Sequence, residues 1–238
     1  MTSTATGTPR VALFDLDHTL LPLDSDHAWG DYIIGLGWVD AVEYKRRNDA
    51  FYADYKASKL DLNAYIAFST AAIVRQGATN SIAAHAGFMR AVVQNAIKLQ
   101  ALELVRRHQA AGDLVVIVTA TNEFVTRPIA DAFGVPELIA VELVRDSAYG
   151  GTGWFTGQIQ GVPSYQAGKV TRVAEWLHQR GLGWETVHTT FYSDSPNDLP
   201  LLEKVNVPVA TNPDARLLEV AQARGWRILN LFSEPHNA

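Results

Sequence analysis

Read for its apolar and polar positions, the chain opens on a short apolar strand at 10–14 that runs directly into two aspartates, Asp15 and Asp17. Pro22 then stops any simple continuation of a strand or helix. From 25 to 94 no strand pattern is present. Trp29, Tyr32, Ile33 and Leu36 fall at three- and four-residue spacings and predict an amphipathic helix over 26–36, broken by Gly35 and Gly37. A second helix is predicted over 39–56, with Val42, Tyr44, Phe51, Tyr52 and Tyr55 as its apolar and aromatic positions. Asp61 is placed to cap a third helix over 60–75 that Gly77 stops, and Thr79, Asn80 and Ser81 are placed to start a fourth over 79–94. Such a block can pack as a small helical bundle.

Beyond it the pattern alternates. Helices are expected at 99–111, 123–133, 166–180, 199 onward and 214–223, and strands at 114–118, 137–144, 186–192, 207–210 and 227–231. The strand at 114–118 is a continuous β-branched run, as in a strand buried on both faces. Residues 119–122 read as a turn and helix cap, and Gly150, Gly151 and Gly153 suggest a hairpin over 148–159. The expected fold class is therefore α/β. It is a Rossmann-like parallel sheet with helices on both faces, interrupted after its first strand by an all-helical insertion. The expected division is a tail at 1–9, a core of 10–21 with 97–238, and a helical cap at 22–96.

Composition narrows the function classes. Of 238 residues 47% are hydrophobic and 19% charged, which supports a sizeable core. The net charge of -5 gives no reason to expect nucleic acid or an anionic membrane as partner. No apolar run approaches the roughly 20 residues of a membrane span. The absence of cysteine excludes disulfides, thiolate catalysis and thiolate metal sites, and fits a cytoplasmic protein. A monomer or homodimer acting on a small molecule is expected.

In parallel sheets, ligands sit beyond the carboxyl ends of the strands. Asp15 and Asp17 stand there, on the same side of an extended chain, as like charges that call for a hard cation such as Mg²⁺. Thr119 ends the second strand. Asp194, Asn197 and Asp198 follow the strand at 186–192, and Lys169 follows a glycine at a helix start. Carboxylates for a cation beside a hydroxyl and an ammonium for an anion suit phosphoryl transfer. Asp15 would attack phosphorus, Asp17 would move the proton, and Asp194 would complete the metal site. Lys169 would neutralise both Asp15 and the phosphoryl oxygens, and Thr119 would hydrogen-bond a phosphoryl oxygen. Alone, Lys169 reads as a surface lysine, and Thr119 and Asn197 as helix caps. His18, His85, His108, His178 and His188 read as structural or surface groups.

Phe14-Asp15-Leu16-Asp17-His18-Thr19-Leu20 resembles the first motif of the haloacid dehalogenase superfamily. Val118-Thr119 resembles its second motif, Lys169 its third and Ser193-Asp194-Ser195-Pro196-Asn197-Asp198 its fourth. The insertion after motif one resembles the helical C1 cap of the phosphoserine phosphatase-like branch, which also holds histidinol-phosphate phosphatases. The resemblance implies an Mg²⁺-dependent phosphomonoesterase working through an aspartyl-phosphate on a small phosphorylated metabolite. A phosphotransferase, or a phosphate-binding protein without turnover, uses the same parts. It implies Mg²⁺ on the Asp15 carboxylate, the Asp17 carbonyl and Asp194, with Thr119, Ala120, Lys169 and Asn197 at the phosphate and Asp198 in support. Ala120-Thr121-Asn122 and Ser193-Asp194-Ser195 depart from the glycine-rich versions of motifs two and four. Asp24 occupies the place of a glutamate that meets a substrate amine, and Asp24, Asp26 and His27 form a polar cluster suited to an amine or imidazole. Arg46, Arg47 and Arg75 are the candidates for a substrate carboxylate.

Overall fold

The computed structural model describes residues 7–147 and 151–232; most of the expected N-terminal tail and the start of the expected hairpin region, 148–150, lie outside them. The strand β1 (Arg10–Phe14) lies at the centre of a six-stranded parallel sheet, ordered β3 (Glu137–Val141), β2 (Leu114–Asn122), β1, β6 (His188–Ser193), β7 (Val207–Thr211), β8 (Arg227–Leu229). Its alternation explains why. Ala12 and Phe14 belong to the core on one face, and Val11 and Leu13 to the core on the other. In β2 (Leu114–Asn122), Val115 and Ile117 face the first core while Val116 and Val118 face the second.

Between β1 and the rest of the sheet the chain builds the helical cap. It comprises α1 (Ser25–Gly35), α2 (Ala41–Lys56), α3 (Leu62–Phe88), a π-helical turn Met89–Val93 and the short α4 (Gln94–Ala96). Asp24, Asp40 and Asp61 each accept the backbone N–H three residues on, from His27, Glu43 and Ala64, which starts the three long helices. The two helices expected over 60–75 and 79–94 are one kinked element. Gly77, at φ 72° and ψ 177°, breaks the helical path but does not end it, a conformation open to glycine.

The core resumes with α5 (Leu99–Ala110), β2, α6 (Glu123–Ala132) and β3 (Glu137–Val141). Residues 119–122, read from sequence as a turn, continue β2 through a register shift between Val118 and Asn122, and Asn122 then caps α6. The single strand expected over 137–144 is divided. The Glu123 carboxylate accepts the backbone N–H of Leu143, and Glu142 bonds outward to Arg172, so the chain turns out of the main sheet. It enters β4 (Leu143–Arg145), antiparallel to β5 (Phe155–Ile159). This hairpin reaches the cap, where the Trp154 indole N–H donates to the Ile73 carbonyl of α3 at 2.9 Å. The chain closes with α7 (Ala167–His178), β6 (His188–Ser193), a 3₁₀ turn Pro196–Asp198, α8 (Leu199–Leu202), β7 (Val207–Thr211), α9 (Ala215–Arg224) and β8 (Arg227–Leu229). Among the described residues no helix is long and apolar enough to cross a membrane.

Gly168, in the first turn of α7, packs so closely that a Cβ there would overlap the Pro163 carbonyl oxygen. A backbone carbonyl cannot yield as a flexible side chain can. Gly168→Ala is expected to cost about 1–3 kcal/mol of stability, read as a lowered urea midpoint.

Candidate active site

The crevice lies where the strand order reverses, between β1 and β6. Asp15 continues the pairing of β1, its N–H donating to the Tyr192 carbonyl at 2.9 Å. The chain then turns tightly, with the Leu16 carbonyl accepting from Leu20 at 2.8 Å and Leu21 at 3.0 Å. His18 sits in the left-handed region at φ 57°, and Asn212, at the end of β7, donates its amide to the His18 and Thr19 carbonyls. The turn that carries Asp15 and Asp17 is thus held from the neighbouring strand end.

Lys169, 2% exposed, joins two carboxylates across the crevice. Its Nζ lies 2.8 Å from Asp15 Oδ1 and 2.7 Å from Asp198 Oδ2. The Ser193 hydroxyl donates to the same Asp198 oxygen at 2.8 Å. On the other side of Asp15, Thr19 Oγ1 is 3.1 Å from Asp15 Oδ2 and 3.3 Å from Asp194 Oδ1, and it accepts the Asp194 N–H. A threonine hydroxyl has one proton, so it cannot serve both carboxylates. Asp17 is held differently, by the Ser25 N–H on Oδ1 and the Thr121 hydroxyl on Oδ2, each at 2.8 Å. The cap helix α1 therefore begins on the side chain of Asp17.

Four carboxylates and one ammonium leave this buried cluster short of positive charge. Burial pushes the Asp15 carboxyl up, against the lowering effect of Lys169. Asp17 is pushed up to about 6, first by burial and then by the charge of Asp24. Asp194 is raised well above its ordinary value by burial, then by the charges of Asp15 and Asp198. Asp198 reaches about 6 by burial despite Lys169. For Lys169, burial acts downward, but the charges of Asp15 and Asp198 outweigh it and hold the ammonium above its ordinary value.

Among the described residues no three acidic or histidine side chains form a ready-made metal cage. The donor set nonetheless fits Mg²⁺, which takes oxygen ligands, often only one or two of them carboxylates. Asp15 and Asp194 present oxygens on either side of one hydroxyl, with charge to be neutralised.

One cavity gathers Asp15, Asp17, Asp24, Asp26, His27, Thr119, Ala120 and Asp194 from the residues singled out in the sequence. Lys169 and Asp198 stand behind Asp15, outside the lining. Asn197 is also outside it; its amide donates to the Tyr55 carbonyl of the cap at 3.0 Å, and its Oδ1 has no partner among the described residues. Asp24 caps α1, and His27 pairs with Asp49 at 3.3 Å. Sequence reading assigned no role to Thr19, Thr121, Ser193 or Asn212. Thr19 and Ser193 lay inside the quoted motifs, and reading 119–122 as extended would have put Thr121 on the side of Thr119. His18, read as a loop residue, lines the cavity and sits 3.4 Å from the Tyr52 hydroxyl. Tyr52 and Tyr55 line it too, alongside Phe51 and Tyr65. None of the three candidate arginines does. Arg46 pairs with Glu43, Arg47 lies over the Phe68 ring, and Arg75 donates to the Trp38 carbonyl.

The family model for haloacid dehalogenase-like hydrolases matches residues 12–203. The chain is 42% identical over 222 residues to a protein named histidinol-phosphatase from Neisseria meningitidis serogroup C (strain 8013), covering 93% of this chain and 98% of that protein. A structure from Bordetella pertussis Tohama I, described as a protein of unknown function, is 46% identical with a TM-score of 0.88, covering 95% of this chain and 100% of that one. A substrate-bound phosphoserine phosphatase shares the fold at a TM-score of 0.64 and 14% identity, over 94% of this chain and 93% of that one. The chain belongs to the haloacid dehalogenase-like hydrolases, as a phosphatase of the branch that carries a helical cap.

Proposed function

We propose that this phosphatase is an Mg²⁺-dependent phosphomonoesterase that hydrolyses a small phosphorylated metabolite through an aspartyl-phosphate, with histidinol phosphate and phosphoserine as the leading substrates. The observation that carries the reading is Asp15, held between Lys169 and Thr19 with Asp194 opposite. The 42% identity to a histidinol-phosphatase favours the first substrate.

In this reading Asp15 attacks phosphorus and the ester oxygen leaves. Lys169 fixes the Asp15 carboxylate in line and balances its charge. Asp17 gives its proton to the leaving oxygen and afterwards takes one from the attacking water. Its position near pH 6 suits a group that must do both. Thr119 and the backbone at Ala120 receive phosphoryl oxygens, with Asn197 close behind. Mg²⁺ held by Asp15, the Asp17 carbonyl and Asp194 would neutralise charge on the phosphoryl group. Asp198 positions Lys169.

Residues 22–96 act as a lid on a core of 10–21 and 97–238, hinged near 22–24 and 97–100, and Asp24, Asp26 and His27 face the leaving group. Closing such a lid excludes water and selects the alcohol. A cytoplasmic setting is part of the proposal, supported by the cysteine-free chain.

Asp15→Asn is expected to abolish hydrolysis of p-nitrophenyl phosphate, by at least about 1,000-fold, with an unchanged circular dichroism spectrum. Comparable turnover in that variant would remove Asp15 as nucleophile. Metal removal has a signature in stability as well as in rate. Asp17 and Asp198 sit at about 6 when folded, against an ordinary value of 3.8. Between those values the folded state keeps protons that the unfolded chain has released, so stability falls as pH rises from about 4 to about 6. Thermal unfolding in EDTA should show that fall, and Mg²⁺ should flatten it and restore activity. An identical pH profile with and without Mg²⁺ would argue against a metal among these carboxylates.

A further inference from the structure

The extended end of β2 carries two threonines into the cavity. Because the strand runs on to Asn122, Thr119 and Thr121 fall on one side of it, and both line the cavity. Their hydroxyls meet different partners. Thr119 Oγ1 accepts the Thr121 N–H at 3.1 Å, which keeps its own proton for a phosphoryl oxygen. The Thr121 hydroxyl donates instead to Asp17 Oδ2 at 2.8 Å. Thr121 is buried, so little water competes for that bond.

Asp17 is thereby held from two parts of the chain. The Ser25 N–H on Oδ1 belongs to the first residue of α1, in the cap. The Thr121 hydroxyl on Oδ2 belongs to β2, which pairs with β1 along 11–14. Asp15 follows directly on β1, so the Thr121 contact fixes Asp17 in the frame of the nucleophile, independently of the cap. Each donor occupies a lone pair of one carboxyl oxygen. The proton of a neutral Asp17 must then take one of the remaining pairs, away from both donors. As that proton departs, the charge left on the carboxylate strengthens both hydrogen bonds.

We propose that Thr121 is a positioning residue for proton transfer to the leaving group, its hydroxyl holding Asp17 in the orientation from which the ester oxygen is reached. This rests on the phosphomonoesterase reading above and adds a residue to it. The bond from Asp15 to phosphorus forms as the ester P–O bond breaks. The Asp17 proton passes to the ester oxygen and the alcohol leaves, while Asp17 remains as the carboxylate that Thr121 and the Ser25 N–H stabilise. Threonine at 121, where the glycine-rich form of the second motif has no hydroxyl, thus has a chemical reason.

The test compares two leaving groups by kcat/KM, which reports phosphoryl transfer to Asp15, on the Mg²⁺-loaded full chain. The p-nitrophenolate of p-nitrophenyl phosphate departs without needing a proton. An alcohol needs one, and the alkyl ester is whichever of histidinol phosphate, phosphoserine and propyl phosphate the wild type hydrolyses fastest. Thr121→Val keeps the shape and removes the hydroxyl; it should lower the alkyl-to-aryl ratio by on the order of tenfold. Thr121→Ser keeps the hydroxyl and should keep most of the ratio, whereas a packing role would make serine the more harmful variant. With Asp17→Asn, which has no proton to give, adding Thr121→Val should leave the ratio where Asp17→Asn alone sets it. An unchanged ratio in Thr121→Val, a serine variant as impaired as the valine one, or a further fall on top of Asp17→Asn would each overturn the assignment. So would a wild type that hydrolyses the aryl ester alone. If Thr121→Val fails to fold, Thr121→Ala makes the same comparison, and failure of both would make the hydroxyl structural and overturn the assignment too. A wild type that hydrolyses no ester, p-nitrophenyl phosphate included, would instead overturn the phosphomonoesterase reading, and the assignment with it.

Discussion

The buried ammonium of Lys169 between Asp15 and Asp198 is the contact on which the rest of the structure depends. It ties the end of β1 to the start of α7 and the turn after β6, three segments far apart in the chain. Removing one partner from such a pair leaves an unpaired buried charge, at a cost of about 3–5 kcal/mol. Its surroundings are built to that end. Gly168 lets α7 begin against the Pro163 carbonyl, Gln166 accepts φ 50° just before the helix, and Ser193 steadies Asp198. The pair is nonetheless outnumbered. Asp17 and Asp194 remain uncompensated, so the site is held in a state that favours binding positive charge.

The same contacts couple the cap to the chemistry. The Asp17 side chain accepts the Ser25 N–H at the start of α1, so an aspartate lining the cavity also anchors the first cap helix. Asn197 donates to the Tyr55 carbonyl at the far end of α2, and Trp154 on the core hairpin donates to Ile73 in α3. Three hydrogen bonds from three parts of the core therefore hold the cap over the cavity. Each involves one backbone partner, so side-chain changes elsewhere in the cap can alter the pocket wall without breaking them.

Much of this was legible in the chain. Short continuous apolar runs set between helical stretches pointed to the parallel strands, and Asp61 ahead of helical periodicity marked the start of one cap helix. Asp15, Asp17, Thr119, Lys169 and Asp194 stood out because each falls at a strand or helix end where a parallel sheet exposes its ligands. Local pattern failed where a distant group decided the path. Glu123 draws the backbone of Leu143 out of the sheet, twenty positions away, and splits what reads as one strand. Residues 119–122 look like a turn because threonine and asparagine favour caps, yet pairing with β3 keeps them extended.

What the sequence determined by itself was the order of elements and the identity of the acids, because both follow from local periodicity and residue chemistry. Only the tertiary structure decided how those acids are partnered. It set Asp198 beside the expected Lys169–Asp15 pair, gave the single Thr19 proton two competing acceptors, and kept Arg46, Arg47 and Arg75 out of the cavity. Partnership among buried charges depends on distances between segments that no local pattern encodes, and those distances set which groups remain free to meet a substrate.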